Sequence, residues 1–428
     1  AKVVVKKGGY NPTIADYCSD GENLKDCIIK YGNLGYDTSK ITIHNASLEN
    51  GAGDNSYRYS GRDGSCSYNG NEVYGLNDSA SAETSNKKDC NKVYLFSSSG
   101  SNEMYLDNSI TRLLTEEKSI VWENNACKTT DGESITYAYT NDDIGGVSQE
   151  TCKDKSYLFS NGDVTMRIAN VNVKYLGTGT WKNELNNFVC FGTNESPCPI
   201  DNLYRIIGVI DGKVKLIKYD YATSDLLGID ANYYKGSLST INTYYWNYKA
   251  TNKATNTWST SLLNKTNLNT NFINNIGTEW ANKIAATTWK VGGNLYSNIA
   301  GSIPSVAYQN EIVNPATNST DNATEYNAKI GLMYISDYGF AASPEAWGLI
   351  IKDYNNILNS NWMYMGLLEW TITRRSLDST DAYILAADGI VYSDLVYSGN
   401  SVRPVFSLLS SIAYKSGSGT QSDPIIIN

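Results

Sequence analysis

Histidine is almost missing from this chain: its 428 residues include one, His44. Zinc hydrolases draw on two or three imidazoles and non-haem iron oxygenases on two, so neither centre can be assembled from it. A Ser-His-Asp or Cys-His nucleophile would depend on His44 alone. That residue lies in the polar stretch Ile43-His44-Asn45-Ala46-Ser47 and reads as a strand-edge or surface histidine. Charge is also scarce, at 18% of residues, against roughly 25% in an average soluble domain. The balance is −9, the wrong sign for a protein that replaces the counterions of nucleic acid. No apolar run approaches the ~18 residues of a membrane span. Cysteine is confined to the first part of the chain, with none after Cys198.

The aromatic fraction is 11% and hydrophobic residues make up 41%, enough to build cores and to exclude a disordered chain. Tyrosine (33), glycine (35) and abundant Asn, Ser and Thr fill the place of the missing charge. The length exceeds one ordinary domain, which favours two or three. This acidic, polar, tyrosine-rich composition reads as an ordered protein of the extracellular space or cell surface. The opening Ala1-Lys2-Val3-Val4-Val5-Lys6 shows neither an initiator Met nor a signal-peptide pattern. That implies a removed leader or a membrane anchor cut off, without saying which.

The eight cysteines are Cys18, Cys27, Cys66, Cys90, Cys127, Cys152, Cys190 and Cys198. An even number without a CxxC pair points to disulfides in an oxidising compartment rather than to a metal knuckle. Cys66 and Cys90 are 24 positions apart, and Cys127 and Cys152 are 25 apart. Tyr94-Leu95-Phe96-Ser97 follows the first pair, and Tyr157-Leu158-Phe159-Ser160 follows the second. This duplication predicts Cys66–Cys90 and Cys127–Cys152, one bridge per repeat. The neighbours left over pair as Cys18–Cys27 and Cys190–Cys198, closing short loops.

Three regions follow. Residues 1–62 form an N-terminal segment with a strand-like Lys2–Lys7 and a helical stretch around Glu22–Lys30. Residues 63–182 hold two disulfide-bearing, β-rich repeats. Their last part, Val171–Tyr175, alternates like a half-buried strand, and Gly177–Thr180 reads as a joint. Residues 183–428 change in texture, for seven of nine tryptophans fall between Trp246 and Trp370. Here Leu203–Ile210 and Lys213–Tyr219 flank Asp211-Gly212, a strong hairpin signal. Trp258–Asn264 and Phe272–Trp289 read as helices. Phe272, Ile273, Ile276, Trp280 and Ile284 then share one face, as a core stripe does. Ala328–Tyr338 reads as a buried strand, and the tail from Arg374 as short strands. Two helices among many short strands predict an α+β fold.

The stretch 370–408 is the most informative. No basic residue lies between Arg375 and Arg403; Tyr, Ser, Asp, Asn and Gly fill the interval. Tyr supplies rigid contact area and short polar groups adaptable hydrogen bonds, the composition of antibody loops. The run from Trp370 through Val402-Arg403-Pro404-Val405 resembles the C-terminal segment of bacterial surface proteins with a C-type-lectin-like fold. It is particularly similar to the variable proteins of diversity-generating retroelements. Cys190-Phe191, Leu203–Val209 and Gly417–Pro424 extend the resemblance over roughly 185–428.

The resemblance implies a C-type-lectin-like ligand-binding domain whose fixed scaffold carries a diversified patch. Trp370, Arg375, Gly389, Val402 and Arg403 would be scaffold. Asp378, Thr380, Tyr383, Leu385, Ala387, Ile390, Ser393, Asp394, Ser398 and Asn400 would form the patch; the tyrosine-rich composition of the segment adds Tyr392 and Tyr397 as ligand contacts. The ligand would be an extracellular protein or glycan. Oxidases and iron enzymes of the same fold need cysteines or clustered histidines, and residues 199–428 hold neither, so no enzyme is expected. A carboxylate-pair hydrolase has 44 acidic residues to draw on, but no spacing singles out two. No cofactor is implied. Asp378-Ser379-Thr380-Asp381 offers oxygens of the kind calcium takes, in a pattern also common in turns. The alternative function is structural. In a filament or stalk subunit, Val3-Val4-Val5 and Ile425-Ile426-Ile427 would add to a neighbour's sheet in self-assembly.

Overall fold

In a computed structural model the chain divides into two units: Pro12–Arg62 with Asn183–Asn428, and Ala1–Asn11 with Asp63–Lys182. The structure describes residues 13–33, 43–46, 55–61, 185–238, 240–249, 254–315 and 324–428, together with short strands between 66 and 169. The expected strand at Lys2–Lys7, the bridges Cys66–Cys90 and Cys127–Cys152, the alternation at Val171–Tyr175 and the joint at Gly177–Thr180 lie outside the described residues.

The unit containing 63–182 is built of antiparallel strands. Val93–Ser98, which carries the first Tyr-Leu-Phe-Ser, pairs along its length with Val164–Ala169. That strand in turn pairs with Phe159–Asn161, where the second copy ends.

The other unit is α+β. Its helix α1 (Leu24–Gly32) buries Leu24, Cys27, Ile28 and Tyr31, the i, i+3, i+4, i+7 stripe of an amphipathic helix. Asn23 caps it by accepting the Lys25 N–H. The Cys18–Cys27 disulfide, with Cα atoms 5.7 Å apart, fastens the preceding loop to it. The main sheet has seven strands: β1 (Ile43–His44), β2 (Asn55–Tyr59), β3 (Phe188–Cys190), β4 (Leu203–Ile210) and β5 (Lys213–Lys218), then Val405–Ser407 beside β5 and Ile330–Gly331 at the edge. The Asp211-Gly212 turn joins β4 to β5, with φ of 49° and 68°, the left-handed pair that a two-residue hairpin needs.

One edge of β4 faces β5 along its length, and the other is shared. Arg58 of β2 stands opposite Gly208, and Phe188 of β3 stands opposite Arg205. Between them the Ile206 N–H donates to the Asn187 carbonyl at 2.8 Å. Thus β2 and β3 lie end to end as two halves of one strand, and residues 62–184 leave and return at the break. Gly208 meets the Tyr57 backbone so closely that a Cβ there would clash.

Beyond the hairpin the chain departs from its sequence pattern in three places. Trp258–Thr260 is a single 3₁₀ turn, and the longer helical run is Leu263–Phe272, continued by Ile273–Asn275. Gly277, at φ 82°, stops it. Thr278–Ala281 is one further turn, and Thr287–Lys290, expected to end a helix, is a strand. The stripe Phe272, Ile276, Trp280 and Ile284 is nevertheless buried. The expected strand at Ala328–Tyr338 is instead β7 (Ile330–Gly331) followed by helix α2 (Ile335–Phe340). Asp337 starts that helix by accepting the Tyr334 N–H. Among the described residues five tryptophans are fully buried: Trp246, Trp258, Trp289, Trp362 and Trp370. Trp362 donates its indole N–H to Tyr59 at 2.8 Å, tying β2 into this core.

Among the described residues three ionic contacts are sealed inside. Asp337 accepts from Arg58 at 2.9 Å and Lys215 at 2.6 Å, and Arg403 grips Glu369 through two nitrogens at 2.8 and 2.9 Å. At the far end, Ile425 exchanges hydrogen bonds with Phe188 and Cys190, and Ile426–Ile427 pairs with Tyr414–Ser416. Ile425 and Ile427 are buried. This terminal strand, expected to add to a neighbour's sheet, is already paired within its own unit.

Candidate functional site

The residues singled out in the sequence lie on a second, four-stranded sheet. Its order is β6 (Gly293–Asn294), β8 (Glu369–Arg375), β9 (Asp381–Leu385) and β10 (Val391–Leu395). Strands β8 to β10 are antiparallel, while β6 runs parallel to β8. Every residue of β9 is buried, because strands flank it on both sides and the Trp-rich core lies against it. On the edge strand β10 only Val391 is fully buried.

This placement corrects three expected patch residues. Tyr383 and Leu385 point into the interior from β9, and Asn400 is buried beyond β10. The Tyr383 hydroxyl donates to the Asn294 carbonyl at 3.1 Å, and burial pushes its pKa up, so it is an internal brace. Asn400 exchanges backbone hydrogen bonds with Tyr244 and donates its side-chain amide to Asp394. Asp378, Ala387 and Tyr392 are exposed, while Thr380, Ile390, Ser393, Asp394, Tyr397 and Ser398 are half-buried.

Of the expected scaffold, Trp370, Gly389, Val402 and Arg403 are buried. Trp370 donates its indole N–H to the Tyr244 carbonyl at 2.8 Å. Gly389 turns the β9–β10 connection at φ 80° with its carbonyl on the Tyr338 hydroxyl. Arg375 instead reaches the surface, where it holds Asp381 at 3.2 Å and touches Ser393 at 3.4 Å.

The polar groups of the patch are closed locally. Asp378 accepts from the Thr380 N–H at 2.9 Å and its hydroxyl at 2.7 Å, an Asx turn. Those two bonds, hydroxyl first, hold its carboxyl below the usual range. Asp388 takes the Ile390 N–H, and Asp394 takes the Ser398 hydroxyl and the Leu395 N–H. Asp381 is committed to Arg375 and Ser393.

Three outward residues and one inward one were not singled out from sequence. Leu377 is 70% exposed and Leu395 38%, beside Tyr392 at 45% and, across from β6, Tyr296 at 39%. Leu377 had a legible signal, a leucine between Ser376 and Asp378 in a turn. Leu395 and Tyr296 had none. The inward residue is Asn256, fully buried, whose amide lies within 2.7–2.9 Å of the carbonyls of Arg375, Asp378 and Asp381. With those carbonyls on an amide donor and both aspartates engaged, the donor set of the 378–381 turn does not suit calcium, which needs six to eight free oxygens.

Among the described residues no helix is long and apolar enough to cross a membrane. The Cys190–Cys198 bridge, Cα atoms 5.9 Å apart, closes the loop after β3, and no described cysteine is free. No protein family model matches the chain, and neither a curated protein nor a solved structure matches it.

Proposed function

We propose that the chain is an extracellular bacterial surface protein that binds a protein or glycan. The binding face is the 376–380 loop with β10, on a C-type-lectin-like domain resembling the variable proteins of diversity-generating retroelements. The observation that carries this reading is that Leu377 of the loop and Tyr392 and Leu395 of the edge strand are each exposed, on a sheet whose interior is closed by Trp370, Tyr383 and Asn256. Single exposed apolar side chains are ordinary. Set among Ser and Asp on one loop and the adjoining edge strand, they have the composition of a recognition surface. Two disulfides support an oxidising, extracellular setting.

Binding fits better than catalysis. The shielded carboxylates Asp337 and Glu369 are held by cations, and Glu311 by Thr373 and the first amides of α2. The filament alternative drew on free terminal strands, and the C-terminal one is committed internally.

The test is an array of glycans and secreted ectodomains probed with the full chain. A target should lose at least about tenfold in affinity on Leu377→Asp with Tyr392→Ala. A target bound equally well by that variant would place recognition elsewhere and end the reading. Sequencing codons 370–408 in sister isolates tests the retroelement. Adenine-restricted changes beside a reverse transcriptase support it, and an invariant segment removes it and leaves a fixed-ligand adhesin.

A further inference from the structure

We infer that Asn256 is the positioning residue of the recognition loop, an internal strut that fixes the conformation of residues 376–380. The name "recognition loop" rests on the function proposed above; the geometry does not. Residues 376–380 connect β8 to β9 without strand pairing of their own and carry the exposed Leu377, Asp378 and Ser379. The Asp378 carbonyl and those of the two strand ends that frame the loop, Arg375 and Asp381, converge on one side chain that comes from 119 to 125 residues earlier in the chain. The Asn256 Nδ2 lies 2.9 Å from the Arg375 oxygen, 2.7 Å from that of Asp378 and 2.7 Å from that of Asp381. Its backbone N–H donates to the Ser379 carbonyl at 2.7 Å. Two carbonyls of the loop and two of its flanking strand ends therefore close on a single residue.

An amide carries two hydrogens, so two carbonyls receive a full bond and the third shares. That arrangement also fixes which way the amide faces. Rotated by half a turn, its oxygen would stand against three carbonyl oxygens in a site without water. In the observed orientation the Asn256 Oδ1 is buried and makes no hydrogen bond, the cost of aiming both donors at the loop. Without those donors the loop carbonyls must turn outward to water, which displaces Leu377 and Asp378. Arg375 clasps the loop from outside through Asp381, but it touches none of residues 377–379. Asn256 is the one side chain from another element that holds this segment among the described residues.

The test measures amide hydrogen exchange in the full chain and needs no ligand. Asn256→Ala should speed exchange of the Ser376 and Thr380 amides, which donate to the Asn294 carbonyl and the Asp378 carboxylate, by about tenfold or more, as expected when the loop loses two hydrogen bonds. Protection in β9 and β10 should stay at the parent level. Asn256→Asp, measured at pH 8, keeps the size but replaces donors with a carboxylate facing carbonyls, so it should loosen the loop at least as much as alanine. If Asn256→Asp retained the parent's protection, the role would be one of volume and the inference would fall. Unchanged loop exchange in Asn256→Ala would overturn it too. So would equal loosening of the loop, β9 and β10 in both variants, because Asn256 would then hold the whole sheet. A target that ignores the Leu377 and Tyr392 substitutions would end the binding reading and leave this result standing.

Discussion

Asparagine in place of Asp337 removes one charge and almost no volume from the interior, which makes it a clean probe of the buried ionic cluster. Asp337 is 1% exposed and receives Arg58 at 2.9 Å, Lys215 at 2.6 Å and the Tyr334 N–H at 3.0 Å. The cations are equally sealed: Arg58 packs over Phe340, and Lys215 over Tyr334 and Trp289. Asp337→Asn therefore strands two buried positive charges. Breaking a buried pair costs about 3–5 kcal/mol, a fall in Tm of roughly 6–20 °C for a unit of this class. The assay is urea and thermal unfolding, followed by the tryptophans. A loss below about 1 kcal/mol would match a surface pair and refute the claim that the cluster is dry. The triple variant Asp337→Leu, Arg58→Met, Lys215→Met should recover most of the stability, because apolar replacement spares the desolvation of all three groups. The pH dependence has a definite sign. Burial pushes the Asp337 carboxyl up, but Lys215 and Arg58 outweigh it and hold the group below the usual range. Its contribution is present above the unfolded value of about 3.9 and is lost as pH falls through the folded value. The gap between parent and Asp337→Asn should be constant near neutrality and close in strong acid.

Two further expectations follow from the connectivity. Replacing residues 62–184 by a short Gly/Ser linker should leave the other unit folded, because the excision falls at the break between β2 and β3 on one edge of β4. Retained tryptophan unfolding cooperativity and both short disulfides would confirm it, and an aggregated product would count against it. Replacing Cys190 and Cys198 by Ala should cost about 2.5 kcal/mol by loop entropy, read by urea unfolding. A loss under about 1 kcal/mol would show that the Phe191 amide bond to the Asn202 carbonyl and the strand pairing already fix that loop.

Short-range signals were the ones that could be read. The Asp211-Gly212 hairpin, the helical stretch around Glu22–Lys30 and the short disulfides each depend on neighbours a few positions apart, and each stands near where the sequence placed it. The helix expected at Phe272–Trp289 shows the limit. Four of the five stripe residues are buried and Ile273 is half-buried, but Gly277 and the pairing of Thr287–Lys290 with Glu325–Ala328 overrode the helical period. Ile330 to Phe340 is apolar enough for a strand, yet Asp337 at the third position starts a helix once Arg58 and Lys215 stabilise its charge. Within the candidate face, composition located the segment but not the direction of each side chain. Tyr383 and Tyr392 look alike in sequence. One lies on a strand flanked on both sides and the other on the edge, a distinction that only sheet order supplies.

That distinction explains how one stretch of chain can serve folding and, under the proposed function, recognition. The long-range anchors between Trp370 and Arg403 are inward: Trp370 to Tyr244, Tyr383 to Asn294, Arg403 to Glu369, and the loop carbonyls to Asn256. The outward polar groups bond within their own turns, Asp378 to Thr380, Asp388 to Ile390, Asp394 to Ser398. A change at an outward position thus disturbs one turn, and surface changes of that kind stay within about 0.5 kcal/mol. A change at an anchor opens a cavity or strands a buried polar group, at several times that cost. The two sets interleave along the chain because the buried strands β8 and β9 alternate with exposed turns and the edge strand β10. A surface of this construction can take new side chains at Leu377, Asp378, Ser379, Tyr392 and Leu395 while the strands beneath keep their register, which is the physical condition for a binding face that changes without losing its fold.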